Sequence, residues 1–74
     1  ITPNPVYNSI IVNGLDDINK KTLSIIDING TVVKSTVIKN SSYNWNISFL
    51  SAGIYNLVIT ENGKQPISIK FIKK

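Results

Sequence analysis

Cysteine, histidine, methionine and arginine are all missing from this chain of 74 residues. Without cysteine no disulfide staples the fold, and thiols give no reading of the redox compartment. Histidine and cysteine together supply the commonest general base, the commonest metal ligands and the thiol nucleophile, so those chemistries are excluded at once. The lack of arginine removes the bidentate fork that nucleic-acid binders use on phosphate and guanine. A net charge of +4 therefore rests on lysines alone. They are scattered at Lys20 and Lys21, Lys34, Lys39, Lys64, Lys70, Lys73 and Lys74, a spread that reads as solvation and not as a nucleic-acid footprint. With no methionine and a first residue Ile1, the chain reads as a piece of a longer protein. No apolar run approaches the roughly 18–20 residues of a membrane span.

Acid is scarce as well. The four carboxylates are Asp16, Asp17, Asp27 and Glu61. Asp16 and Asp17 are neighbours, so in extended chain they point to opposite faces and do not converge on one bond. Asp27 belongs to one hairpin and Glu61 to the approach of another, which leaves no glycosidase pair. The serines have no base to activate them, because the only candidates are lysines placed as on a solvated surface. The chain is read as non-enzymatic. "NGLDDIN" at 13–19 gathers oxygen ligands, but its spacing is not that of an EF-hand loop and no bidentate glutamate follows, so it reads as a polar loop.

Isoleucine, valine, threonine and asparagine dominate, while alanine and glutamate each occur once. This is poor material for helices and good material for strands and turns. "TPNPV" at 2–6 is rigid and extended, since each proline drives the preceding residue out of the helical region. Strands are expected at 9–13, 22–28, 31–38, 43–47, 54–60 and from about Pro66 to Lys73. Asn29-Gly30 and Asn62-Gly63 mark hairpin turns, and a further turn is expected at 51–53. Asp27, an acid inside an apolar run, is expected to accept a hydrogen bond from a turn amide. Six or seven short strands at this spacing predict one all-β domain over 1–74, an antiparallel β-sandwich of immunoglobulin-like size. A chain this short buries only about 60% of its unfolded surface, so its stability is modest.

The aromatics Tyr7, Tyr43, Trp45 and Tyr55 raise a binding alternative. Tyr43 and Trp45 share one face of a strand, which suits either sugar stacking or core packing. So small a core needs its tryptophan inside, and packing is the favoured reading. A carbohydrate-binding module attached to a secreted hydrolase is the runner-up.

"TPNPVYNSIIV", "IIDINGTVVKS", "LSAGIYNLVI" and "IKFIKK" follow one another in the order and spacing of a known family. Together they resemble the type IX secretion C-terminal sorting domains of Bacteroidetes-type bacteria, across essentially the whole chain. The resemblance implies an immunoglobulin-like β-sandwich without catalytic activity or cofactor, carried behind a cargo domain. It implies cargo that reaches the periplasm on its own signal peptide and then crosses the outer membrane to the cell surface or medium. The implied partners are the type IX translocon, outer-membrane shuttle proteins, a surface sortase-like protease and the covalently linked upstream cargo. Asn4 and Pro5 match the opening Pro-Asn-Pro, Gly30 the central hairpin glycine, and Gly53 and Tyr55 the Gly-hydrophobic-Tyr motif, all with mainly structural roles. Gly53 would allow a tight turn, and Tyr55 would enter the core with its hydroxyl partnered.

Lys70, Phe71, Ile72 and Lys73 match the family's terminal Lys-x-x-Lys, extended here by Lys74. In the family this end is required for export, so these five residues are the expected translocon-recognition site. An edge strand can add to another sheet, its backbone giving affinity and its alternate side chains selectivity. Lys70 and Ile72 would share one face, with Phe71 and Lys73 on the other. The competing reading is edge protection by lysines alone. A chain that naturally continues past Lys74 would weaken the address reading.

Overall fold

Alternating β-branched and polar residues, with few helix formers, leave strands as the regular structure this backbone can use. A computed structural model describes residues 7–16 and 18–74. Among them lie β1 (Ser9–Val12), β2 (Lys21–Asp27), β3 (Val32–Ile38), β4 (Tyr43–Asn46), β5 (Gly53–Glu61) and β6 (Ile67–Lys73). The expected strands are all present, each within about a residue or two of its predicted bounds.

All pairings are antiparallel. β1 pairs with β4 in a two-stranded sheet, and the second sheet has the order β3-β2-β5-β6. The chain crosses between sheets after β1, after β3 and after β4, which leaves β2–β3 and β5–β6 as hairpins within one layer. Both sheets contribute to one core. Ile10, Val12, Trp45 and Ile47 face Leu23, Ile25, Leu57, Ile59 and Phe71, with Ile38, Leu50 and Tyr55 at the margins. Each fully buried aliphatic side chain contributes about 1.5–3 kcal/mol, the term that offsets chain entropy in so small a domain. The loop after β1 is tied to the β3–β4 connection by Leu15 N–H donating to Ser41 O at 3.1 Å. Ile47 N–H donates to Asn8 O at 2.8 Å and closes the end of the two-stranded sheet.

The central hairpin differs from the two-residue turn that Asn29-Gly30 suggested. Asp27 N–H donates to Thr31 O and Gly30 N–H donates to Asp27 O, each at 3.0 Å, which encloses the three-residue loop Ile28–Gly30. Only Gly30 has positive φ, at 85°, and Asn29 does not. The reason is local. Asp27 Oδ1 accepts from Asn29 N–H at 2.9 Å and Thr31 N–H at 3.0 Å, holding the turn with ordinary φ at its two central residues. Gly30 then takes the left-handed position that follows such a turn. The second Asn-Gly is likewise no two-residue hairpin. Lys64 N–H donates to Glu61 O at 3.1 Å, with positive φ at Gly63 alone, inside a longer connection from β5 to β6.

The turn expected at 51–53 lies earlier. Leu50 N–H donates to Ile47 O at 3.0 Å, and Gly53 already belongs to β5, paired with Lys73. Asn4, Pro5 and Asp17 fall outside the described residues.

Candidate functional site

Among the described residues β6 is an edge of the four-stranded sheet, bonded to β5 alone. The two-residue period divides it cleanly. Phe71 is fully buried and Lys73 nearly so, with Ile69 packed against the core from the same face. Phe71 stacks on its direct partner Tyr55, ring centroids 5.7 Å apart and planes at 23°. On the opposite face Lys70 is exposed and Ile72 is 43% exposed. Lys73 turns its Nζ back to donate to Lys74 O at 2.9 Å, while Lys74 itself is exposed. The strand is thus anchored through one face and displayed through the other.

Tyr55 sits three positions into β5. Its hydroxyl donates to Ser51 O at 2.8 Å, four residues upstream, so a buried polar atom is satisfied while the ring fills the core. This bond straps the incoming loop to the strand that carries β6. A Cβ on Gly53 would meet that same ring at 3.8 Å, an ordinary contact. Gly30 lies at the far end of the β2–β3 hairpin and shares no contact surface with the β6 residues by pairing.

The aromatic alternative fares differently. Trp45 is 5% exposed and Tyr43 half-buried, packed edge to face at 5.9 Å and 66°. Trp45 lies inside the sandwich opposite the four-stranded sheet and offers no platform to a sugar ring. Tyr7 is exposed.

A charged cluster at the other end of β6 escapes the reading of residue types alone. Lys21 is 1% exposed, against the expectation that all the lysines are solvated. Its ammonium donates to Asp16 O at 2.6 Å, Asn19 O at 2.7 Å and Asp16 Oδ1 at 3.3 Å, which uses its three protons. The signal in the sequence is its position: Lys21 has the inward phase of Leu23 and Ile25. Asp16 Oδ1 also accepts from Ile18 and Asn19 N–H, and Oδ2 pairs with Lys64 at 3.3 Å. Those backbone donors, Asn19 first and then Ile18, hold the carboxyl well below the usual range, helped by Lys64 and Lys21. Lys64 is pushed up by its hydrogen bond to Glu61, 3.2 Å away, and then by Asp16. The oxygen-rich loop at 13–19 therefore spends Asp16 on its own amides and on two lysines. It has the character of a structural latch.

A model of the secretion-system C-terminal sorting domain matches residues 1–74. The chain belongs to that family. It is a type IX secretion sorting domain, a non-catalytic unit that directs the secretion of its cargo. A sorting domain of this kind engages secretion machinery and is exported with what it carries. No curated protein matches the chain.

Proposed function

We propose that the secretion machinery recognises this sorting domain through β6, with Lys70, Ile72 and Lys74 touching the receptor and Phe71 and Lys73 setting the strand's pose. The observation that carries the proposal is the division of one edge strand. Phe71 and Lys73 are buried, while the opposite face presents Ile72 between two exposed lysines, beside a backbone edge that no other described strand pairs. Such an edge offers main-chain hydrogen bonds to an incoming strand, and the lysines favour an acidic groove. The receptor is the type IX translocon together with outer-membrane shuttle proteins. The destination is the cell surface or medium, where a sortase-like protease separates the domain from its upstream cargo.

The immunoglobulin-like arrangement belongs to the same proposal. Two features support it. β1 and β4 occupy the places of strands B and E, and β3-β2-β5-β6 those of C′, C, F and G. Tyr55, near the start of the F-like strand, bonds back to Ser51 O as a tyrosine corner does.

The test is export of a periplasm-targeted reporter fused ahead of this chain, in a bacterium with type IX machinery. Deleting 71–74 would be a poor probe, because it removes the fully buried Phe71 and with it part of the core. The surface variant Lys70→Ala/Ile72→Thr/Lys74→Ala leaves the core whole. Retention of that variant in the periplasm, with wild-type circular dichroism and exported wild type beside it, is the expected result. Export of the variant at the wild-type level would sink the assignment to β6.

A further inference from the structure

We infer that the docking surface is wider than β6: an apolar stripe on the outer face of the four-stranded sheet continues it across all four strands. The inference rests on the β6 reading above. Register lays the stripe down. Val32 of β3 pairs with Ile26 of β2, and Ile54 of β5 pairs with Ile72 of β6. Ile26 pairs with Asn56, two residues from Ile54 on the same face, so the two pairs are diagonal neighbours within reach of one another. Val32 is 54%, Ile54 44% and Ile72 43% exposed, with Ile26 half-buried beside them. Scattered exposed aliphatics mean little, but two cross-strand pairs joined by a diagonal contact carry an apolar run across the whole sheet, as a contact surface does.

Its chemistry names the occupant. The stripe ends at Ile72, with Lys70 on the same face and Lys74 just beyond the strand. Asp27 and Glu61 lie in the inward phase of their strands and Asp16 in the β1–β2 loop, so the described residues place no carboxylate on this face. The surface is flat, aliphatic and cationic at one end. Its complement is a protein of the secretion machinery with an aliphatic β-surface rimmed by acidic side chains at the β6 end. An anionic lipid surface fits less well, because a membrane-interface face carries Trp or Tyr. Here the strands of the four-stranded sheet carry two aromatics, Tyr55 and Phe71, and both turn into the core.

The experiment uses the reporter fusion with Ile26→Thr/Ile54→Thr, which keeps β-branched residues on the sheet and leaves β6 untouched. The expected result is at least a tenfold fall in exported reporter, with an unchanged unfolding midpoint. If this variant is exported like wild type while Lys70→Ala/Ile72→Thr/Lys74→Ala is retained, recognition is confined to β6 and the wider surface is overturned. If both variants are exported, the β6 reading falls as well. If the variant unfolds, Ile54→Ser alone and Val32→Thr alone are read in the same assay, and wild-type export of both overturns the inference. Co-sedimentation of the purified fusion with phosphatidylglycerol vesicles is the second arm. Binding that is lost in Ile26→Thr/Ile54→Thr would assign the stripe to lipid and overturn the protein partner.

Discussion

β3 and β6 are the two edges of one sheet and have the same length, seven residues each. They are built to opposite ends. β6 buries Phe71 and Lys73 and packs Ile69 against the core, whereas β3 buries only Ile38. Among the described residues the partner sheet has two strands, and along β3 Lys34, in the inward phase, is exposed and Thr36 only half covered. The two edges are also protected differently. The ladder of β3 is broken by a register shift opposite Ile25 and Ile26, a bulge that spoils the strand as a template for another chain. β6 keeps an unbroken register from Ile67 to Lys73 and relies on lysine. A regular, anchored edge is the better template for strand addition, and a bulged edge with little core the poorer one.

The sharpest way to break this comparison is to remove the anchor. Phe71→Ala should cost about 3–5 kcal/mol. A domain of this size has roughly 4–11 kcal/mol in all, so urea unfolding should show a much lower midpoint or no folded baseline. Val33→Ala on β3, which is 39% exposed, should cost under about 1 kcal/mol in the same titration. Similar losses for the two would mean that the edges are not unequal.

The turns that deliver each edge come next. Gly30, at φ 85°, and Gly63, at φ 81°, have nothing within 4 Å of an added Cβ, so alanine at either meets conformational strain alone. Each should lose about 1–2 kcal/mol by thermal or urea unfolding. Asp27→Ala would add about 1–2 kcal/mol on the β3 side by freeing the two turn amides it holds. No matching carboxylate holds the amides of the β5–β6 turn among the described residues. A smaller effect tests the strap beneath β6. Tyr55→Phe keeps the stacking on Phe71 and loses the bond to Ser51 O, for about 0.5–1.5 kcal/mol. Smallest of all should be Val37→Thr, on the β3 surface at 61% exposure, within about 0.5 kcal/mol of wild type.

Much of the sheet is legible in the residue order alone, because strand positions follow from β-branched runs and turn residues that act locally. The alternation of β6 also separates Lys70 and Ile72 from Phe71 and Lys73. Which of those faces enters the core is legible as well, since Phe71 shares its phase with Ile67 and Ile69 while Ile72 shares its phase with Ser68 and Lys70. What the residue order does not show is the partner: Tyr55 on the neighbouring strand meets Phe71 in register and stacks on it. Lys21 departs from its expected exposure for a related reason. Its phase is inward, but a lysine is accepted there only when the preceding loop folds back to offer three oxygens, and residue type alone does not announce that local fold of Asp16 and Asn19.

By itself, then, the sequence determined an all-β chain, the approximate strands, the lack of catalytic groups and the family. These depend on residue type and local spacing, through β propensity, the glycine positions and the absence of histidine and cysteine. Only the tertiary structure decided that two lysines lie buried, that the Asn29-Gly30 turn closes over three residues, and that Ile26, Ile54, Val32 and Ile72 align in one stripe. The reason is register. A period of two assigns each residue a face within its own strand, but pairing between strands far apart in the chain decides which faces meet and which are left to a partner.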